Sequence, residues 1–312
     1  MKLIIQIPCF NEEKTLPIAL ADLPRAVHGF DTVEWLIIDD GSTDRTVEVA
    51  REHGVDHVVS LPKHLGLAKG FMAGLEACLQ HGADVIVNTD ADNQYFAGDI
   101  PALTQPIIEG RAQIVIGARP IQEIAHFSPL KKLFQKFGSW VVRQASKTNI
   151  VDTTSGFRAI NREAAMSLNV FNSYTYTLET IIQAGQKNLS IMSVPIRVNG
   201  DLRPSRLLKS ISSYIKRSIV TIFRIFVVYK PFRFFFISGA ILFSIGILIG
   251  FRYLYFDFIG EGKGHIQSII LASVFMGIGF QTILVAFLAD LLSVNRRLLE
   301  DVQYKLRKMN VK

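Results

Sequence analysis

The chain has 312 residues, enough for one α/β domain and an appended segment. Its net charge of +7 is divided unevenly. Residues 202–312 carry 16 Lys+Arg against 5 Asp+Glu, a net +11, whereas residues 1–201 carry 18 against 22, a net −4. Because the basic part is also the most apolar part, the charge favours a membrane surface and argues against nucleic acid as partner. Cys9 and Cys78 lack metal-ligand spacing and a secretory context, which predicts reduced thiols in a cytosolic domain.

Over the first 117 residues, short apolar runs alternate with helical patterns. The runs predict strands over residues 3–7, 35–38, 55–61, 85–87 and 113–117. The intervening segments predict helices over about 16–27, 44–53, 66–80 and 98–109, with Ser42 or Thr43 capping the second and Gly54 ending it. This regular alternation predicts an α/β fold with a doubly wound, mostly parallel sheet.

Residues 85–94, VIVNTDADNQ, hold the most informative stretch. A buried strand ends in two carboxylates one residue apart, Asp90 and Asp92, followed by the amide of Gln94. Ligands of open α/β sheets bind at such carboxyl ends of strands. Oxygen ligands at this spacing suit Mg²⁺ or Mn²⁺ bound together with substrate phosphates better than they suit zinc. The alternative is an acidic turn exposed to water.

Carboxylates also follow the first two predicted strands: Glu12 after the first, and Asp39 and Asp40 after the second. The first of these turns reads PCFNEE and lacks Gly-x-Gly-x-x-Gly, which excludes a dinucleotide-type pyrophosphate turn. A nucleotide would therefore be held by carboxylates and a metal, since a carboxylate accepts hydrogen bonds from ribose hydroxyls and base N–H groups. For Asp39 and Asp40 the alternative is turn formation and helix capping. We expect one of the pair to cap and the other to contact nucleotide.

PCFNEE, DDGSTD and DADNQ, in this order and spacing, resemble the family 2 glycosyltransferases of the GT-A fold. Within that family, the chain resembles the polyprenyl-phosphate glycosyltransferases, such as dolichyl-phosphate mannose synthases and bacterial undecaprenyl-phosphate glucosyltransferases. The resemblance covers about residues 1–210. The chain departs from the family pattern at Phe10, where Tyr is usual, and at Asn93, where Leu is common; neither change removes a charge.

The resemblance implies a set of site residues. The nucleotide sugar would be held by Pro8, Phe10, Glu12, Asp39, Asp40, Lys69, Asp90, Ala91 and Asp92, and the metal by Asp90, Asp92 and Gln94. For Lys69, which opens the third helix, a solvated surface lysine is the favoured alternative. Arg119 ends the fifth strand, and its planar fork suits phosphate oxygens, with a surface arginine as the alternative.

An acceptor side is expected after Pro120, where the alternation breaks and a basic helix is predicted over residues 130–146. Asp152, in DTTSGFR, resembles the acceptor-side loop of the family and would orient the acceptor or act as a base. A phosphomonoester has a second pKa near 6 and is largely ionised at neutral pH, so a base is less necessary than for a hydroxyl acceptor. In RVNGDLRPSR, Arg197, Arg203 and Arg206 are candidates for binding the donor diphosphate or the acceptor phosphate and for closing a lid.

The C-terminal part predicts a membrane anchor. Residues 201–230 have the pattern of a basic amphipathic interfacial helix, with a core-packed helix as the alternative. Uncharged runs over 234–251 and 266–289 are each long enough to cross a bilayer core of about 30 Å. Lys and Arg flank the outer ends of this pair, which predicts both termini in the cytoplasm. We therefore expect a catalytic domain over 1–200, a juxtamembrane segment over 201–230, a two-helix hairpin over 231–295 and a basic tail over 296–312.

The predicted function is metal-dependent, inverting transfer of one sugar from a nucleotide sugar to a polyprenyl (undecaprenyl) phosphate at the cytosolic face of the plasma membrane. UDP-glucose is the leading donor, GDP-mannose the second and an aminoarabinose derivative the third. The alternatives are a processive polysaccharide synthase, whose Gln-x-x-Arg-Trp motif is absent, and a non-catalytic scaffold that binds nucleotide sugar. Glycines at 239, 246, 250, 277 and 279 permit close helix packing or homo-oligomerisation.

Overall fold

The computed structural model describes residues 1–120, 146, 148, 150–170, 176–200, 220, 223–224 and 227–310. The chain divides into two compact units. The first comprises Met1–Ser218 together with Asp301–Lys312, and the second comprises Ile219–Glu300. Residues 130–145 of the predicted basic helix lie outside the described residues, as does nearly all of the predicted amphipathic segment, including Arg203 and Arg206.

The first unit is built on a seven-stranded sheet. Its strands are β1 (Lys2–Cys9), β2 (Thr32–Asp39), β3 (His57–Ser60), β4 (Val85–Asn88), β5 (Ile114–Ala118), β6 (Arg158–Asn161) and β7 (Ile191–Pro195), in the order β3-β2-β1-β4-β6-β5-β7. The helices are α1 (Leu16–Asp22), α2 (Thr46–Glu52), α3 (Leu67–Gln80), α4 (Ile100–Ile108), α5 (Arg162–Ser167) and α6 (Thr177–Gln186). The predicted α/β fold with a mostly parallel sheet is thus confirmed.

Some element ends differ from prediction. Helix α1 ends at Asp22 and not near residue 27, because Pro24 disfavours helical geometry at Leu23, whose ψ is 135°. Helix α2 begins at Thr46 without a cap from Ser42 or Thr43. Instead, Asp44 Oδ1 accepts a hydrogen bond from Thr46 N at 3.0 Å. Gly54 follows α2 with φ of 71°, the left-handed conformation predicted for it.

Strand β6 departs from the parallel alternation. It lies between β4 and β5 and runs antiparallel to both, with Ile160 opposite Ile86 on one side and Ile114 on the other. It begins with Arg158, the last residue of DTTSGFR, so this inserted strand brings that stretch to the middle of the sheet. The buried core on one face includes Leu3, Ile37 and Val87 of the central strands.

The two cysteines have the predicted state. Cys9 ends β1 and Cys78 lies in α3, and both are free and buried. This agrees with the expectation of reduced thiols.

The second unit contains two long helices, α7 (Pro231–Phe258) and most of α8 (Ile266–Asn310). Both are long and apolar enough to cross a membrane, with mean hydropathy of 2.4 and 2.2 in their most apolar windows. Three of the predicted glycines lie where the helices pack together. A Cβ on Gly239 would meet Gly279 O at 2.8 Å, and one on Gly246 would meet Met276 N at 2.8 Å. Close helix packing is therefore present within the chain, while homo-oligomerisation stays a prediction.

Candidate active site

The carboxyl ends of β2, β1 and β4 lie side by side, because these strands are parallel neighbours. Asp39 of β2 is paired with Cys9 of β1, and Gln6 of β1 is paired with Asn88 of β4. The loops that leave these three ends carry Glu12, Asp39, Asp40, Asp90 and Asp92. The predicted gathering of strand-end carboxylates along one edge of the sheet is therefore present in the fold.

The loops after β1 and β2 are joined by hydrogen bonds. Glu12 N donates to Thr46 Oγ1 at 2.8 Å, and the Glu12 carboxylate accepts from Thr15 Oγ1 at 2.6 Å. Asp39 accepts from Ser42 N at 2.9 Å, which is a turn-forming role. Glu12 and Asp39 are both buried. We expected one residue of the Asp39–Asp40 pair to cap and the other to contact nucleotide. In the structure, Asp39 is the one that closes the turn.

Asp40 contacts the loop that precedes α3. Its Oδ1 accepts from Leu65 N at 2.7 Å, and its Oδ2 accepts from Gly66 N at 2.8 Å. His64 Nδ1 lies 2.9 Å from the same Oδ2, and the His64 ring stacks on Phe10 with 4.0 Å between centroids. Phe10 directly follows β1, and its stacking on His64 places an aromatic pair beside the buried Asp40 carboxylate. Sequence reasoning missed His64, for which no local pattern marks a partner 24 positions away.

The loop after β4 carries Asp90, Ala91 and Asp92. Asn93 takes the left-handed conformation with φ of 56°, and Gln94 N donates to Asp92 Oδ1 at 3.3 Å. Among the described residues no group of three or more His, Cys, Asp or Glu has the arrangement of a metal site. A divalent cation here would therefore take its remaining ligands from amide oxygens, water and substrate phosphates, which is the usual coordination of Mg²⁺.

A buried polar network underlies this loop. Asn88 Nδ2 donates to Gly156 O and to Tyr176 Oη, both at 2.9 Å, and Asn88 Oδ1 accepts from Gln6 Nε2 at 2.9 Å. A Cβ on Gly156 would lie 3.3 Å from both carboxylate oxygens of Asp90, so only glycine fits there without displacement. Sequence reasoning missed these residues. The available signal was a polar residue in each of two apolar strands, since buried amides need partners.

Arg158 is the largest fully buried side chain among the described residues. Its guanidinium donates to Ser155 O and Thr180 Oγ1, and its Nε has no hydrogen-bond partner in the part of the chain that the structure describes. It lies 5.1 Å from the ring centroid of Tyr176. Burial lowers the pKa of Arg158 below its ordinary value. Burial also raises the pKa of Tyr95, which accepts from Gly156 N at 2.9 Å, to about 12.

Arg119 and Asp152 form a bidentate ion pair. Arg119 Nε donates to Asp152 Oδ2 at 2.7 Å and Nη2 donates to Oδ1 at 3.1 Å, while Nη2 also reaches Thr154 Oγ1 at 2.9 Å. The Asp152 side chain is fully buried and the Arg119 side chain is 18% exposed. Burial alone would raise the pKa of Asp152, but the hydrogen bonds and charge of Arg119 outweigh it and hold the pKa below the ordinary 3.8. Asp152 is therefore a weak base.

The segment after β7 fastens the loop after β4. Asn199 Nδ2 donates to Asn93 O at 2.9 Å and to Tyr95 O at 3.4 Å, and Asn199 N donates to Gln94 O at 2.9 Å. The two segments are thus tied together by both the side chain and the backbone of one residue.

Arg197 and Lys69, which were both predicted to bind ligand, take no part in the hydrogen bonds described above. Arg197 is bound to Asp99 through its Nε at 3.0 Å, and its guanidinium lies 4.0 Å from the ring centroid of Phe96. Lys69 is exposed on α3. The predicted ligand-binding roles of Arg197 and Lys69 stay predictions.

Comparison with known proteins identifies the family. Residues 4–168, more than half of the chain, match the family described as Glycosyl transferase family 2. The chain belongs to glycosyl transferase family 2. Sequence relatives include the undecaprenyl-phosphate mannosyltransferase of Micrococcus luteus, 29% identical over 206 residues that cover 63% of this chain and 83% of the relative. The UDP-N-acetylglucosamine–dolichyl-phosphate N-acetylglucosaminyltransferase of Methanococcus voltae is 30% identical over 213 residues, covering 61% of this chain and 83% of the relative.

Solved structures agree on the fold. The glucosyl-3-phosphoglycerate synthase of Mycobacterium tuberculosis, in complex with Mn²⁺, UDP and glucosyl-3-phosphoglycerate, superposes with a TM-score of 0.56. The two chains are 19% identical, and the match covers 72% of this chain and 78% of the other. This family 2 chain therefore has the GT-A fold that its motifs resemble, and it is a glycosyltransferase.

Proposed function

We propose that this glycosyltransferase transfers a single sugar from a nucleotide sugar to a polyprenyl phosphate, with glucose from UDP-glucose as the first donor to test and mannose from GDP-mannose as the second. The observation that supports this acceptor is the state of Asp152. Its carboxylate is buried, paired with Arg119 through two hydrogen bonds and lowered in pKa, so it is poorly suited to deprotonate a hydroxyl. A phosphate acceptor needs no such base, because it is already ionised at neutral pH.

Relatives support the same acceptor class. The Micrococcus luteus relative is named for undecaprenyl phosphate, the Methanococcus voltae relative for dolichyl phosphate, and a Mycolicibacterium smegmatis relative, 26% identical over 204 residues, is a polyprenol monophosphomannose synthase. The helices α7 and α8 add support, because a polyprenyl acceptor resides in a membrane and both helices are long and apolar enough to cross one. We assign the protein to the plasma membrane with the catalytic domain and both termini in the cytoplasm.

The reaction is a direct displacement with inversion. An oxygen of the acceptor phosphate forms a bond to the anomeric carbon while the bond from that carbon to the donor diphosphate breaks, and the nucleoside diphosphate leaves with the bonding electrons. Asp90 and Asp92 would hold Mg²⁺ or Mn²⁺ together with the diphosphate. The cation, when bound, neutralises charge that develops on the leaving group.

Arg119 and Asp152 serve the acceptor side. Because Asp152 engages Nε and Nη2 of Arg119, it fixes the plane of the guanidinium. Arg119 Nη1 makes no hydrogen bond to the described residues and is available to a phosphate oxygen. In this role Asp152 is a positioning residue and Arg119 binds the acceptor, which is the use of arginine that its planar fork favours.

Transfer from radiolabelled UDP-glucose and GDP-mannose to undecaprenyl phosphate, with purified full-length protein in detergent and MnCl₂, tests the proposal. We expect one labelled sugar per lipid, loss of transfer in EDTA, and a decrease of about 100-fold or more in Asp92→Asn. Asp31→Asn is the matched control, because Asp31 precedes β2 at the opposite edge of the sheet and its side chain is 87% exposed. A labelled polymer, transfer that persists in EDTA, or no transfer from any nucleotide sugar would each contradict the proposal.

A further inference from the structure

Asn93 lies between two of the predicted metal ligands, Asp92 and Gln94, and is one of the positions at which the chain departs from the pattern it resembles. Its backbone takes the left-handed conformation, with φ of 56°, which asparagine adopts more readily than most residues. Gln94 N donates to Asp92 Oδ1 at 3.3 Å, so the Asp92 carboxylate itself closes a turn centred on Asn93. The conformation of Asn93 therefore bears directly on the position of the Asp92 carboxylate.

Two separate segments of the chain hold Asn93. Its Nδ2 donates to Asp22 Oδ2 at 2.7 Å, across 71 positions of sequence, and its carbonyl oxygen accepts from Asn199 Nδ2 at 2.9 Å. Asn93 is only 9% exposed, whereas Asp22 is exposed at the end of α1. A hydrogen bond to an ionised carboxylate is stronger than one between neutral groups. The bond from Asp22 is thus the stronger type of contact on the side chain of Asn93.

The acceptor stands on an anchored helix. Leu16 and Leu20 of α1 are buried in the core of the sheet domain. At the start of α1, Leu16 N donates to Glu12 O at 2.9 Å, which fastens the helix to the loop after β1. Asp22 is the last residue of the same helix. Because α1 is fixed by its core contacts and at its start, Asp22 offers the loop after β4 a firm point of attachment.

We propose that Asp22 is a positioning residue for the metal site: its hydrogen bond to Asn93 holds the turn that carries Asp92, and it thereby strengthens the binding of Mn²⁺ or Mg²⁺ together with the donor diphosphate. The inference rests on the proposed function, because the cation and the diphosphate are those of that reaction. Partners that orient metal ligands typically change metal affinity by about 10- to 100-fold. Asp22 acts on Asp92 through Asn93, so we expect the lower end, about tenfold.

Calorimetric titration of the full-length protein with UDP, once in MnCl₂ and once in EDTA, tests the inference. The ratio of the two dissociation constants is the Mn²⁺ enhancement of UDP binding. We expect this enhancement to fall about tenfold in Asp22→Ala, while the affinity for UDP in EDTA stays unchanged. Asp22→Asn keeps an acceptor oxygen and should retain most of the enhancement, which separates loss of the hydrogen bond from loss of the charge.

The donor side of the same bond is tested by Asn93→Gly. Glycine keeps the left-handed conformation and removes the donor to Asp22, so we expect a similar fall in the enhancement. Asn188→Gly is the matched control, because Asn188 is also left-handed, with φ of 53°, but precedes β7 at the amino end of that strand. The enhancement should be unchanged in this control. Circular dichroism of each variant verifies folding before titration.

Four outcomes would overturn the inference: an unchanged enhancement in Asp22→Ala, an equal fall in Asp22→Asn, an equal fall in Asn188→Gly, or a loss of UDP affinity in EDTA as large as that in MnCl₂. GDP replaces UDP in every titration if only GDP binds. The fate of the proposed function is separable. If neither nucleotide binds, or if Mn²⁺ does not enhance binding in the wild type, the proposed function itself fails. If the enhancement is present and equal in all the proteins, the proposed function stands and the role of Asp22 is wrong.

Discussion

Around the candidate site, the two halves of the sheet hold their carboxylates in different ways. In the parallel half, formed by β3, β2, β1 and β4, Asp39 and Asp40 are held by backbone N–H groups of nearby loops. In the mixed half, formed by β6, β5 and β7, Asp152 is held by the guanidinium of Arg119 and Asp99 by that of Arg197. Neutral donors leave the net charge of a carboxylate in place, whereas a guanidinium neutralises it.

These two environments suit aspartate side chains to two different roles. Asp40 retains its charge, so it is suited to bind a ligand directly. Asp152 uses its charge to orient Arg119, so it is suited to position another group. The comparison predicts that replacing a carboxylate by an amide has different consequences in the two halves.

Among the substitutions that test this comparison, the largest effect is expected for Asp152→Asn. The amide cannot sustain the ion pair, so Arg119 loses its fixed plane, and we expect transfer to fall about 10- to 100-fold. Unfolding should become easier by about 2 kcal/mol, because one partner of a buried pair is lost. Steady-state transfer to undecaprenyl phosphate and thermal unfolding measure the two effects. A loss beyond about 1,000-fold that high pH relieves would instead indicate a general base.

The second prediction concerns acid pH. The pKa of Asp152 is lowered from 3.8 in the folded protein, so its contribution to stability is complete above about 3.8 and is lost as pH falls through the folded value. We therefore expect the difference in unfolding temperature between wild type and Asp152→Asn to be largest near pH 6 and to shrink below about pH 3.8. A difference that grows towards acid pH would contradict the assignment of the ion pair.

The smallest effect is expected for Asn199→Asp, which tests the connection between the halves. The substitution preserves shape but removes the two side-chain N–H donors to Asn93 O and Tyr95 O. We expect the Mn²⁺ concentration for half-maximal transfer to rise severalfold, because the loop that carries Asp92 is less well held. Stability should fall by about 1 kcal/mol. Ser190→Ala is the control, because Ser190 precedes β7 at the other end of that strand; an equal rise in both variants would remove Asn199 from this role.

Much of the parallel half could be predicted from the sequence. Short apolar runs followed by Glu12, Asp39 and Asp90 are local sequence patterns. Parallel pairing of the strands then brings their carboxyl ends to one edge of the sheet, whatever the conformation of the loops. Three ordered motifs at these ends sufficed to indicate the family. The long uncharged segments of α7 and α8 were predicted for the same reason, because composition over a continuous stretch decides whether a helix can cross a membrane.

The remaining features were decided only by tertiary structure. Strand β6 pairs antiparallel between β4 and β5, Arg119 meets Asp152 from 33 positions away, and Asn199 meets Asn93 from 106 positions away. No local pattern encodes such contacts, because they depend on how distant segments pack and not on periodicity within one segment. The sequence alone thus determined which chemical groups stand at the edge of the sheet. Folding decided which of them retain their charge and which are paired with a guanidinium, since each group is satisfied by whichever distant partner the packing brings to it.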